Sequence, residues 1–199
     1  IEFEGVFQNK NEFATQQRFN ENGLTGCLNF YNTKFHKSTL LVNNTGCEDG
    51  VNIMNSNGKI NSIFVKNARA DAIDIDFSNI EISQIDVKHA GNDCLDVSGG
   101  NYKVKIATLI RCKDKAISIG EKSIFKISAL TINDAATGIS TKDFSKVTIK
   151  NAKILNAKVC VESLQKKQEF GGGITNLNKM LCDGKYITDN KSLIIKNNL

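Results

Sequence analysis

Short apolar stretches alternating with polar residues run along most of the chain. "IEISQIDV" (80–87) and "KVKIATLI" (103–110) return an aliphatic side chain to one face at close to every second position, the period of a β-strand. The stretches themselves recur. From "DAIDI" (71–75), steps of 22 residues reach "DCLDV" (93–97), "KAISI" (115–119) and "TGIST" (137–141), and one step back reaches "DGVNI" (49–53). Two outer copies are "CLNF" (27–30), one residue out of step, and "VCV" (159–161), two residues short. In each copy a small or short residue precedes an aliphatic, then a polar residue, then usually another aliphatic. A register held over five consecutive copies defines a solenoid.

Two or three short strands per 22-residue turn predict a parallel β-helix. A leucine-rich repeat would need a leucine ladder with a fixed asparagine, whereas Ile and Val dominate here. Coils stacked at the ~4.8 Å strand spacing would give seven or so turns and a rod about 35 Å tall. Ile73, Leu95, Ile117, Ile139 and Val159 are then expected to form one inward ladder. The whole chain, 1–199, reads as a single all-β solenoid domain. Regular coils span 26–165, between an N-terminal cap (1–25, with Phe7, Phe13 and Phe19) and a last coil with C-terminal cap (166–199, after "EFGGG"). Caps are expected because an exposed sheet edge invites pairing with other chains.

Composition supports this outline. The 199 residues include 24 Asn and 23 Ile, with no Pro and no Trp. β-Branched residues suit strands, and asparagine tolerates the left-handed angles of turns. The net charge of +5 comes from scattered lysines; the densest pair, Lys166 and Lys167, is followed by Glu169. No basic face for nucleic acid is visible, and no apolar run approaches the eighteen residues of a membrane span. The chain opens at Ile1 rather than methionine, which reads as a processed or excised piece of a larger chain.

Six cysteines are expected to be mainly buried free thiols acting as small hydrophobes. Cys27 and Cys94 share a column three coils apart, roughly 14 Å, whereas a disulfide needs Cα atoms within about 7 Å. Cys112 falls at a different point on the coil from Cys94, and Cys160 is assigned to the outward column. Cys47 and Cys182 are left open as a pair at an end.

The register also aligns chemistry. The outward position reads Asn29, Asn52, Asp74, Asp96, Ser118, Ser140. The turn before it reads Asp49, Asp71, Asp93, Lys115, Thr137, and the position after the strand reads Met54, Asp76, Ser98, Gly120, Lys142. Six carboxylates thus share one face, with Lys115 one coil beyond. Carboxylates about 5 Å apart repel unless a cation, a shared proton or a basic side chain relieves them. Calcium, which takes several carboxylate oxygens in a loose geometry, is the expected cation for Asp71, Asp74, Asp93 and Asp96. The structural alternative is that aspartates at turns bond backbone groups and outward ones keep the rod soluble.

The run "DAIDIDFS", "NDCLDVSGG", "DKAISIGEKS", "GISTKDFS", with "GCLNFYNTKF" and "CEDGVNI" before it, resembles right-handed parallel β-helix modules of uncharacterised bacterial surface or secreted proteins. The likeness covers most of 26–165. It implies the pectin-lyase-like superfamily, whose rods bind, cut or epimerise polysaccharides, and an extracellular or cell-surface location. The acidic face also partly resembles polygalacturonase motifs. Asp71 in "RADAID" matches that family's catalytic aspartate, and Asp93 in "GNDC" matches one of its paired aspartates. Asn92 replaces the other, Lys115 stands where a histidine belongs, and the substrate-gripping Arg-x-Lys has no counterpart. The resemblance implies Asp71 and Asp93 as catalytic candidates, with Lys115 in the histidine's place; the stacked Asp74 and Asp96, with Arg69 and Arg111, are the substrate-binding candidates. A polysaccharide lyase using Lys115, Arg69 or Arg111 as base is the other enzymatic option. A non-catalytic structural or adhesive rod is the alternative to both.

Overall fold

The computed structural model describes residues 1–5, 18–19 and 21–197. Among these the chain forms fourteen strands and no helix. They are β1 (Glu2–Glu4), β2 (Gly26–Tyr31), β3 (Lys34–Thr45), β4 (Asp49–Met54), β5 (Asn57–Ala68), β6 (Asp71–Asp76), β7 (Asn79–Ala90), β8 (Leu95–Ser98), β9 (Asn101–Gly120), β10 (Ile124–Lys142), β11 (Lys146–Leu164), β12 (Ile174–Leu181), β13 (Lys185–Thr188) and β14 (Leu193–Lys196). The pairings are parallel. One ladder runs β1-β3-β5-β7-β9-β10-β11-β12-β14, and the short strands β2, β4, β6 and β8 stack beside it and join β9. The result is a parallel β-helix of about eight turns, its coils about 22 residues apart.

The sequence pattern of one coil explains its corners. In β7 the buried residues are Ile80, Ile82, Ile85, Val87 and Ala90, so alternation breaks where two outward residues are consecutive, at Ser83–Gln84 and at Lys88–His89. His89 has φ 66° and belongs to a left-handed column of Asn44, Asn67, His89, Arg111, Asp134 and Asn156. A second such column, Asn32, Asn55, Phe77, Gly99, Glu121 and Asp143, closes the short strands. Asparagine fills five of these positions, Asn32, Asn44, Asn55, Asn67 and Asn156, since its short polar side chain tolerates that backbone. Some amides also stack coil on coil, as in Asn67 to Asn44 (2.9 Å) and Asn156 to Asn133 (2.8 Å).

The inward ladder is Leu28, Val51, Ile73, Leu95, Ile117, Ile139 and Val161. Val161, not the expected Val159, continues it; Val159 stacks on Thr137 in the turn column. The 22-residue step simply persists into the seventh coil. At the next corner the hydroxyls of Ser56, Ser78 and Ser123 donate to the carbonyls of Met54, Asp76 and Gly120. In the fourth coil Gly100 occupies that corner, and the buried Tyr102 hydroxyl fills the place. It lies 2.7 Å from the Ser98 carbonyl and 2.9 Å from that of Ile75, and it accepts the Ser78 amide at 3.4 Å.

The cysteines correct the expectation of free thiols. All six are paired: Cys27–Cys47, Cys94–Cys112 and Cys160–Cys182, with Cα atoms 5.3, 5.4 and 6.1 Å apart. Cys160 is fully buried rather than outward, in the inward corner column of Cys27, Gly50, Ala72, Cys94, Ala116 and Gly138. Distance along the rod was the wrong measure, because each bridge closes a single coil. The sequence separations of 20, 18 and 22 residues are close to one lap, which returns the chain beside its own starting corner. The bridged coils are the first, fourth and seventh.

At the N-terminal end β1 pairs with Leu41–Asn43, and the Ile1 ammonium donates to the Thr39 carbonyl (2.9 Å). Of the expected cap residues, Phe7 and Phe13 lie outside the described residues, and Phe19 is exposed. At the other end β14 pairs with β12. No helix among the described residues is long and apolar enough to cross a membrane.

Candidate functional site

The short strands β4, β6 and β8, continued by the ends of β9 and β10, present a narrow face of three side-chain columns. Asn29, Asn52, Asp74, Asp96, Ser118 and Ser140 are in register along its middle. Asp49 and Asp71 align on one side, followed by Asp93 and Lys115. Tyr31, Met54, Asp76, Ser98 and Gly120 align on the other, followed by Lys142. The six carboxylates therefore do share one strip. It is not simply solvated, however: Asp49 and Asp93 are buried, and Asp71, Asp74, Asp76 and Asp96 are half-buried.

Hydrogen bonding divides these acids into two kinds. Asp71 Oδ1 accepts the Asp93 amide and the Asn92 side chain, both at 2.7 Å. Asp93 Oδ1 accepts the Lys115 amide at 2.8 Å, with Lys115 Nζ 3.7 Å away. Each ties its turn to the next coil, as Asp143 does for the Lys166 and Lys167 amides (2.8 and 2.9 Å). By contrast, Asp74 receives only Asn52 Nδ2, at 3.3 Å. Among the described residues the side-chain carboxyls of Asp76 and Asp96 take part in no hydrogen bond or ion pair.

Burial, reinforced by neighbouring carboxylates, raises Asp49, Asp71, Asp74, Asp76 and Asp93 above the ordinary carboxylate range. Asp49, Asp71 and Asp76 are pushed up to about 6 and Asp93 to about 7; Asp74, facing Asp76, Asp49 and Asp96, is also raised well above its usual value. At Asp71 and Asp93 hydrogen bonds oppose this, and at Asp93 the Lys115 charge does too. Near neutral pH these five carboxyls thus share protons, one of the ways such an array becomes tolerable.

The cations are distributed differently from expectation. Lys115 is on the strip, bonded to Asp114. Burial alone would lower its pKa, but that hydrogen bond and the charges of Asp93 and Asp114 outweigh it and keep the amine protonated. Lys142 is the residue that sequence reasoning passed over. It is buried, runs past Gly120, and donates from Nζ to Ser118 Oγ at 2.7 Å; burial lowers its pKa. The signal was Gly120 one coil earlier in the same column, where the absent side chain leaves room for the lysine stem. Arg69 turns to the preceding coil, where Nε donates to the Gly46 carbonyl (2.6 Å) and Nη2 lies 3.6 Å from Glu48. Arg111 sits on the other left-handed corner. There it contacts His89 at 2.6 Å and lines a groove of about 930 Å³ with Lys113, Asp134 and Lys158. Neither arginine is paired with Asp74 or Asp96. Among the described residues no three His, Cys, Asp or Glu side chains gather as ligands for one metal ion.

Comparison with protein-family models, curated proteins and solved structures finds no match for this chain.

Proposed function

We propose that the chain is a polysaccharide-binding or polysaccharide-processing β-helix module of the pectin-lyase-like kind, working through Asp74, Asp76 and Asp96. The observation that carries this reading is the state of those three carboxyls. They are half-buried on adjacent coils, and among the described residues only Asp74 receives a hydrogen bond, from Asn52. Asp74 and Asp76, whose pKa values burial raises, can both donate and accept hydrogen bonds, which suits sugar hydroxyls; a protonated carboxyl beside an ionised one is also the pairing used in glycoside hydrolysis. Asp71 and Asp93, the first catalytic candidates, each hold a backbone amide of the next coil, so their part is to fix the strip. Lys115 is a poor proton acceptor beside its carboxylates, which weakens a lyase role for it. The three disulfides support a place in an oxidising compartment, such as the cell exterior.

The second reading, a structural or adhesive rod, is favoured by the same disulfides and by the structural use of Asp71, Asp93 and Asp143. A panel of neutral and acidic polysaccharides, scored for retention and for released sugars, separates the two. Wild type should be retained by or act on at least one polymer, and Asp74→Asn with Asp96→Asn should abolish this without lowering the melting temperature. Wild type inert to the whole panel would leave the rod.

A further inference from the structure

The left-handed position after each short strand is filled by Asn32, Asn55, Phe77, Gly99, Glu121 and Asp143 in six successive coils, with φ of 52, 49, 48, 64, 57 and 56°. Asparagine and glycine are the residues this backbone favours, and a bulky ring is the one it least favours. Burial does not account for Phe77, which is 56% exposed. Its ring covers Gly99, where an added Cβ would stand 2.5 Å from Phe77 Cδ1. An aromatic side chain is therefore held beside Asp76 and still offers most of its surface to solvent. Tyr31, in the Asp76 column two coils earlier, is 61% exposed. At ~4.8 Å per coil the two positions are separated by about 10 Å along the rod. On the central column, Asn52 Oδ1, one coil before Asp74, and Ser140 Oγ, two coils beyond Asp96, are buried polar atoms with no partner among the described residues.

Open aromatic surface next to hydrogen-bonding carboxyls matches a pyranose ring, which has an apolar C–H face and a rim of hydroxyls. Few, well-placed polar groups among aromatic surface are the usual make-up of a small-molecule site. The charge of the strip selects further, because a face lined by carboxylates repels a polyanion. We infer that the strip takes a neutral pyranose polysaccharide, with rings stacked on Phe77 and Tyr31 and hydroxyls bonded to Asp74, Asp76 and Asp96. The inference rests on the reading of the strip as a polysaccharide site and adds the class of polymer and the residues that hold its faces.

Affinity electrophoresis at neutral pH tests it, in gels cast with hydroxyethyl cellulose, xylan or galactomannan as neutral polymers and polygalacturonate or alginate as acidic ones. Wild type should be retarded by at least one neutral polymer and by neither acidic one. Phe77→Asn, which places in coil three the residue found in coils one and two, should melt at or above wild type and lose at least tenfold in affinity. A clear fall in melting temperature for Phe77→Asn would make the ring a packing residue and overturn the inference. So would unchanged retardation of Phe77→Asn alongside loss in the Asp74→Asn, Asp96→Asn variant, an outcome that leaves the polysaccharide reading standing. Retardation by the acidic polymers alone would overturn the neutral class and keep the polysaccharide site. No retardation in any gel would remove both.

Discussion

At the scale of residues, this protein is regular where one side chain can be exchanged for its neighbour in the column, and irregular where it cannot. Tyr102 is the clearest irregularity in the interior. The columns around it hold Ile80 and Phe125, and a tyrosine is accommodated only because Gly100 vacates the corner that serine occupies in coils two, three and five. Its hydroxyl then serves the Ser98 and Ile75 carbonyls and the Ser78 amide. Tyr102→Phe should leave these buried groups short of a partner, at a cost of about 1 to 3 kcal/mol in unfolding free energy measured by denaturant titration. A variant as stable as wild type would show that the corner carbonyls need no hydroxyl.

At the scale of elements, coils are joined by parallel ladders and closed individually by disulfides. Cys94 stacks between Ala72 and Ala116, and Cys112 between Ala90 and Ala135, so alanine already fits both columns. The Cys94→Ala, Cys112→Ala double variant should therefore fold with little strain and lose chiefly the loop-closing effect of the bridge. For a loop of this length that is about 3 kcal/mol, or roughly 6 to 12 °C in melting temperature for a chain of this size. Thiol titration of denatured, unreduced wild type should find no free thiol. Finding four or more would restore the free-thiol expectation and unmake the closed coils.

At the scale of the whole molecule, the acidic strip makes stability depend on pH in an uncommon direction. Asp49, Asp71, Asp76 and Asp93 have folded values of about 6 to 7, against 3.8 for an unperturbed aspartate. Between those values the folded state binds more protons than the unfolded one, so stability falls as pH rises from about 4 to about 7 and levels off above that. One carboxyl raised by about two units is worth about 2.7 kcal/mol at most, and coupled neighbours add less than their sum. Thermal melts at pH 5 should lie several degrees above melts at pH 8. The Asp74→Asn, Asp96→Asn variant should shrink the difference by gaining stability at pH 8. A wild type less stable at pH 5, or a melt at pH 8 raised by calcium over chelator, would show that protons are not what relieves the strip.

The 22-residue repeat, read from "DGVNI" to "TGIST", by itself determined the parallel β-helix, the ladder from Val51 to Ile139, and the gathering of six aspartates on one face. These depend only on which residues lie one lap apart, and a lap can be counted along the chain. What the count could not supply is how each lap bends. The two left-handed columns fold the first six coils back on themselves, and only that closure brings Cys94 within 5.4 Å of Cys112. It likewise placed Arg111 beside His89 on the far corner, stretched Lys142 past Gly120 to Ser118, and laid Phe77 over Gly99. Position along the rod is a property of spacing, whereas contacts across a corner depend on backbone angles and side-chain volumes that exist only once the coil has closed.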